Sequence, residues 1–134
     1  MQIKCLATQM TDDQRQALNA SQILKPRYQI KVGQSYLVLG ITFLMNSPVF
    51  GKCCLYTIRD DAGRCVPIPS VLGEITDGRV SRFWVAKPIG AFDLTLWPEE
   101  FYGEYFHDRV TDYETDAVQI FLAVVDRLSK EFRE

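Results

Sequence analysis

His107 is the only histidine of the chain and the side chain best suited to proton transfer near neutral pH. Asp108 follows it directly, but neighbouring residues of a helix point in different directions, so this carboxylate is poorly placed to orient the imidazole. A catalytic histidine also needs a nucleophile or a substrate within hydrogen-bonding reach. We therefore predict a partly exposed structural histidine near a helix end, and a binding or catalytic role remains the alternative.

Two carboxylate pairs, Asp60-Asp61 and Glu99-Glu100, could in principle supply an acid and a base. Hydrolysis of the glycosidase type needs two carboxyl groups that face each other across a cleft. The first pair precedes Ala62-Gly63 and is typical of a turn, and the second follows Pro98 and suits the first turn of a helix. We predict that neither pair is catalytic and that the protein is not an enzyme.

The four cysteines, Cys5, Cys53, Cys54 and Cys65, include no CxxC pair and match no zinc-binding spacing. Cys53 and Cys54 would point to opposite faces of a strand, which disfavours a bridge between them. We predict four reduced thiols that pack as small hydrophobic groups. The N-terminus resembles no signal peptide and no run of 18 apolar residues occurs. The expected location is the cytoplasm, with no membrane association.

Motifs for nucleotides and metals are missing from the sequence, which contains no GxGxxG, GxxxxGK[ST], GxSxG or HExxH pattern. The isoelectric point near 5.4 argues against direct nucleic-acid binding, which requires a basic surface. We therefore predict no cofactor and no metal, and we expect the function to be the binding of a partner.

Most of the negative charge lies in one short segment, residues 93–116, which carries eight acidic side chains, one basic side chain and a net charge of −7. Six aromatic residues are interleaved with the acids. If a helix begins at Pro98, then Phe101, Tyr105 and Val110 could face the core. Glu100, Glu104 and Asp108 would then form an acidic line with a spacing of four residues.

Such a segment favours an anionic docking surface for a basic protein, because charge accelerates association and tyrosine is enriched at interfaces. The alternative is an ordinary solvated helix whose aromatic residues belong to the core. The residues that we predict to bind the partner are Glu100, Tyr102, Glu104, Tyr105, Asp108 and Asp112.

The elements that must position this segment form a short helical entry, a run of strands and closing helices. Thr11 is a candidate N-cap for a helix that runs to about Asn19. Strands are predicted over 3–7, 28–32, 35–45, 52–59, 64–68, 82–87 and 92–97. Gly40 predicts a bulge or a bend in the third of these strands, and Pro67 and Pro69 indicate that the 64–68 strand ends early or lies at an edge.

The clearest element is the last helix, where apolar residues recur at spacings of three and four. They are Ala117, Ile120, Phe121, Val124, Val125, Leu128 and Phe132. The grouping of strands before helices predicts a single α+β domain over residues 1–134. Its antiparallel, curved sheet has about five or six strands, with a short N-terminal helix and C-terminal helices packed on the sheet.

Several phrases of the sequence resemble small bacterial immunity proteins that accompany polymorphic toxins, including those of contact-dependent growth inhibition. The phrases are Tyr36-Leu-Val-Leu-Gly-Ile-Thr-Phe43, Asp60-Asp-Ala-Gly63, Pro67-Ile-Pro69, Glu74-Ile-Thr-Asp-Gly78 and Arg82-Phe-Trp84, followed by the acidic helices. The resemblance covers about residues 30–134 and implies a cytoplasmic protein that binds and blocks a cognate toxin domain. Many such toxins are nucleases with basic active sites, which an acidic surface would suit.

Two other hypotheses remain open. In the first, Trp84, Tyr36 and Arg82 line a pocket beside Cys65, and the protein is a small enzyme or ligand-binding domain on a curved sheet. In the second, the chain is an adaptor or assembly subunit, for example a homodimer joined through exposed strand edges.

Overall fold

The computed structural model describes residues 1–133, so Glu134, the last residue of the predicted domain, lies outside the described residues. The strands are β1 (Gln2–Cys5), β2 (Ser35–Leu37), β3 (Gly40–Ser47), β4 (Gly51–Arg59), β5 (Cys65–Pro69), β6 (Gly73–Asp77), β7 (Trp84–Ile89) and β8 (Asp93–Pro98). The helices are α1 (Asp12–Leu18), α2 (Phe106–Thr111) and α3 (Thr115–Arg133). Short 3₁₀ turns cover Ser70–Leu72 and Glu99–Tyr102.

The strands form two antiparallel sheets, which confirms the predicted α+β class. The smaller sheet has the order β2-β1-β6, and the larger has the order β5-β4-β3-β8-β7. The described part of the chain thus contains eight strands in two open sheets, where the sequence pattern indicated five or six in one. β5 lies at an edge of the larger sheet, which is one of the two outcomes expected from Pro67 and Pro69.

The larger sheet is covered on both faces, so the fold has three layers. One core lies between the two sheets and includes Ile3, Tyr36, Ile58 and Ile68. The other core lies against the C-terminal helices and includes Leu39, Phe101, Phe106, Val110, Ala117, Phe121, Val124 and Leu128. The predicted apolar stripe of α3 is confirmed except at Ile120, which is exposed.

The segment predicted as one central strand divides between the sheets. β2 ends at Leu37, the buried residues Val38 and Leu39 cross between layers, and β3 begins at Gly40. A side chain at position 40 would place its Cβ 2.7 Å from Cδ1 of Trp97, so glycine is required where β3 passes under this ring. The bend predicted from Gly40 is confirmed.

The predicted strand over residues 28–32 is wrong, because no strand forms there. The alternating pattern reflects separate local bonds. The carbonyl of Gln29 accepts from the Asp61 amide, and the Lys31 amide donates to the Tyr36 hydroxyl at 2.9 Å. Ile30 is buried, but Val32 is 67% exposed. The alternation of apolar and polar residues over 28–32 therefore belongs to an irregular segment and does not mark the two faces of a strand.

Candidate functional site

The helix predicted from Pro98 was expected to be short because of Gly103, and it does not extend to Asp108. A 3₁₀ turn over Glu99–Tyr102 ends at Gly103, Tyr105 adopts a left-handed backbone, and α2 begins only at Phe106. The predicted acidic line along one helix is therefore wrong, since Gly103 and Tyr105 interrupt the helical spacing. Phe101 and Val110 are buried as predicted, but Tyr105 is 70% exposed, and Phe106 occupies the core in its place.

Two of the predicted binding residues are engaged inside the fold. The Glu100 carboxylate accepts two hydrogen bonds from the Arg127 guanidinium of α3, at 2.7 and 3.0 Å, and these bonds lower the pKa of Glu100. The Tyr102 hydroxyl donates to the Val85 carbonyl at 2.6 Å, while Lys87 lies 4.4 Å from its ring centre. Both side chains are half-buried, and they tie the 3₁₀ turn to α3 and to the sheet.

The other four predicted residues, Glu104, Tyr105, Asp108 and Asp112, are exposed. Among residues 1–133, the three carboxylates form no ion pair, whereas the neighbouring acids Glu114 and Asp116 are paired with Arg109. Together with the exposed Tyr113, these four residues make up a surface that we call the α2 acidic surface.

Both tyrosines of the α2 acidic surface adopt the left-handed backbone conformation, Tyr105 with a φ of 56° and Tyr113 with a φ of 57°. They flank α2, as the residue before its first turn and the residue after its C-cap Asp112. Bulky side chains in this conformation are uncommon and costly. The fold therefore projects two aromatic rings into solvent, 70% and 69% exposed, from strained positions beside unpaired carboxylates.

Beneath α2 lies a cavity of about 450 Å³ against the helix-covered face of the larger sheet. Its lining comes from β3, β4, β5, β7, β8 and α2: Thr42, Leu55, Thr57, Cys65, Val66, Pro67, Ile89, Trp97, His107, Asp108 and Thr111. The cavity adjoins Cys65 as one sequence hypothesis required. The hypothesis of a ligand-binding domain also placed Trp84, Tyr36 and Arg82 around the pocket. These three residues do not line the cavity, so that part of the hypothesis is wrong.

Each of those three side chains is held elsewhere. The Tyr36 hydroxyl donates to Asp61 at 3.0 Å in the core between the sheets, and the Trp84 indole donates to the Leu39 carbonyl at 2.8 Å. The Nε atom of the Arg82 guanidinium lies 3.7 Å from the Glu131 carboxylate near the end of α3. The sequence contains one indication of the residues that do line the cavity, because Thr42 and Thr57 are each flanked by large hydrophobic or aromatic residues.

His107 sits among aromatic rings at the junction of the cavity and the α2 acidic surface. Its ring centre lies 4.9 Å from that of Trp97 and 5.4 Å from that of Phe101. Burial lowers the pKa of His107, and the nearby Asp108 only partly opposes this shift. The imidazole is therefore neutral at pH 7, and among the described residues no partner hydrogen-bonds to it.

The cysteines are unsuited to nucleophilic chemistry. All four are free, three are buried and Cys54 is half-buried, which confirms the predicted packing role. Burial raises the pKa of Cys65 to about 12 and that of Cys54 to about 11, so both remain thiols at neutral pH. Within residues 1–133 no cluster of His, Cys, Asp and Glu is arranged to hold a metal ion.

No known protein family, curated protein or solved structure matches this chain. Across the described residues, no helix has the length and apolarity needed to cross a bilayer. The geometry thus defines an α+β protein with two adjacent features, an acidic aromatic surface and a largely apolar cavity.

Proposed function

We propose that this protein is an immunity protein that binds and neutralises a cognate bacterial toxin domain through the α2 acidic surface. The observation that carries the proposal is the combination of three unpaired carboxylates with two exposed tyrosines around one short helix. Other surface acids, such as Asp77, Asp116 and Asp126, have cationic partners within the chain, and Asp13 and Glu74, which have none among the described residues, lie on two different elements, α1 and β6. The α2 carboxylates have none among the described residues, so a basic partner would supply the missing counter-charges.

The exposed tyrosines support protein binding in particular. Tyrosine offers a large contact area at a low cost in side-chain entropy, and it is enriched among the residues that dominate binding energy. The carboxylates around the rings would steer a basic face into contact, raising the association rate toward about 10⁸ M⁻¹s⁻¹ at low salt. A nuclease, whose active site must bind phosphates, is the toxin class that best complements such a surface.

Neutralisation is the property that separates an immunity protein from a general binder. Tagged protein would be cross-linked to its partner in the native bacterium, and the partner domain would then be produced alone under an inducible promoter. The proposal predicts that the domain is basic, that its induction stops growth, and that co-expression of this chain restores growth.

The matched control is co-expression of a chain with Glu104→Lys and Asp108→Lys, which should fold but fail to restore growth. A partner domain that is harmless, or one that remains toxic beside the wild-type chain, would contradict the immunity function even if the two proteins bind.

A further inference from the structure

The cavity beneath α2 is lined largely by apolar side chains and also by a threonine that is mostly buried in the fold. Thr57 of β4 lines the cavity and is only 2% exposed. In the described part of the chain no group forms a hydrogen bond with its hydroxyl. The Thr57 hydroxyl is therefore available to a molecule inside the cavity.

Two further polar groups are directed to the same space. Thr42 accepts a hydrogen bond from the Trp97 indole at 3.1 Å, which leaves its hydroxyl proton available for donation. His107 lines the cavity and presents one donor and one acceptor as a neutral imidazole. These three groups are uncharged, and the one charged lining residue, Asp108, is exposed at the rim. A charged ligand group would find no counter-ion in the interior.

The walls determine the shape of an occupant. Leu55, Val66, Pro67, Ile89 and the Trp97 ring provide apolar surface, and a volume of about 450 Å³ lies within the usual range of small-molecule sites. Burial raises the pKa of Cys65 to about 12, so this thiol stays protonated and adds to the uncharged lining of the cavity.

We propose that this cavity is a binding site for a small, neutral, ring-shaped molecule that carries a hydroxyl group, with the ring against Trp97 and Leu55 and the hydroxyl bonded to Thr57. The site is independent of the α2 acidic surface in its chemistry, although Asp108 contributes to both.

Phenol and toluene are suitable probes because they share a size and differ in the hydroxyl group. Each would be titrated into the ¹⁵N-labelled full chain, and shifts of backbone amides and of the Trp97 indole N–H would be followed by NMR. We expect saturable shifts centred on β4, β5 and α2, with phenol binding about fivefold more tightly than toluene, as one hydrogen bond allows. Benzoate, its charged analogue, should not bind.

Thr57→Val keeps the shape of the side chain and removes its hydroxyl. This variant should lose the preference for phenol while it keeps the affinity for toluene. The matched control, Thr76→Val, removes an exposed hydroxyl from the smaller sheet and should change neither affinity. A second variant, Thr111→Trp, fills the exposed rim of the cavity without changing the core and should weaken both probes.

Three results would overturn the site. One is the absence of saturable shifts with either probe. Another is an unchanged preference for phenol in Thr57→Val. The third is a set of shifts confined to the neighbouring hollow around Phe101 and Tyr105. Loss of partner binding upon reversal of the α2 charges would not affect the outcome, so the site and the immunity function can fail separately.

Discussion

Tyr105 and Tyr113 combine backbone strain with exposure of their side chains, and the two properties together are informative. For a residue with a Cβ atom, the left-handed backbone conformation is about 1–2 kcal/mol less favourable than the right-handed helical conformation. Rings that are about 70% exposed recover little of this cost through packing. Strained residues of this kind cluster at functional sites, which is consistent with the binding role that we propose for both tyrosines.

Replacing Tyr113 by glycine should change stability and partner binding in opposite directions. Tyr113→Gly should raise the free energy of unfolding by about 0.5–1 kcal/mol, since glycine tolerates the positive φ. The same change should weaken the complex with the partner. Tyr113→Ala is the control, because it removes the ring but keeps the strain, so it should weaken binding without a gain in stability. Urea unfolding measures the change in stability. If Tyr113→Ala were also more stable than the wild type, the gain would come from removal of the ring and not from relief of the positive φ.

His107 should make the fold sensitive to mild acid. Its pKa is lowered below the ordinary value of 6.5 by burial. Below pH 6.5 the unfolded chain therefore binds the proton more readily than the folded chain, and stability falls as the pH falls. Urea unfolding at pH 7.5 and pH 5.5 should show a larger loss of stability for the wild type than for His107→Gln. Equal losses would mean that the imidazole is solvated.

At the scale of elements, the ion pair between Glu100 and Arg127 joins the 3₁₀ turn that precedes α2 to α3. The Arg127 guanidinium also lies 4.7 Å above the Phe83 ring, and its Nε atom is buried without a hydrogen-bond partner. The Arg127 guanidinium therefore lies in partly apolar surroundings. Loss of the Glu100 carboxylate would leave it without its hydrogen-bond acceptor, which is unfavourable.

Glu100→Gln should lower the free energy of unfolding at pH 7 by about 1 kcal/mol, a usual value for a bidentate, half-exposed pair. Because the pKa of Glu100 is lowered in the folded state, its contribution is present above pH 4.5 and is lost as the pH falls through the lowered value. Glu99→Gln is the matched control, since its carboxylate is 69% exposed and lies 3.7 Å from Lys87. Equal effects of the two changes in urea unfolding would exclude a special role for the pair.

Local signals predicted most of the elements. Thr11 forms the expected N-cap, with a reciprocal bond from Gln14, and Gly63 has the positive φ expected of the turn after β4. Asp60 is explained by that turn, because its carboxylate accepts hydrogen bonds from the amides of Ala62 and Arg64. Each of these features is determined by residues a few positions apart, which is why the sequence alone reveals them.

Features that depend on distant residues were not predictable. The division of residues 35–47 between two sheets depends on the pairing of β2 with β1 and of β3 with β8. The engagement of Glu100 depends on Arg127, which is 27 residues away. The cavity likewise requires Thr57 and His107 to meet across two layers. Spacing along the chain carries no information about such contacts.

The edges of the larger sheet bear on the hypothesis of a homodimer. Both edge strands contain proline, Pro67 and Pro69 in β5 and Pro88 in β7. Proline lacks an amide proton and obstructs the addition of another strand. These edges therefore disfavour strand pairing through the larger sheet, whereas the edge strands of the smaller sheet, β2 and β6, contain no proline.

At the scale of the whole molecule, the asymmetry of charge is the main feature. The chain has a net charge of only −2, yet residues 93–116 carry −7. In the structure Glu114 and Asp116 share the single positive charge of Arg109, Glu100 pairs with Arg127 and Glu99 with Lys87. The exposed carboxylates Glu104, Asp108 and Asp112 around α2 form no ion pair among the described residues. In the proposed function, this concentrated charge binds the partner.

The most direct measurement is the dissociation constant of the purified complex by calorimetry, for two charge-matched double variants. Glu104→Lys with Asp108→Lys alters the α2 acidic surface. Asp13→Lys with Glu74→Lys makes the same change in net charge on α1 and β6, at exposed positions without ion pairs among the described residues. Thermal unfolding of both variants verifies that they fold.

We expect charge reversal on the α2 acidic surface to weaken binding by about 3 kcal/mol or more, a factor of roughly 100 in the dissociation constant. The control pair should change it by less than about threefold, because distant exposed charges are screened at physiological salt. Equal weakening by the two variants, or none by either, would contradict the claim and place the interface elsewhere on the molecule.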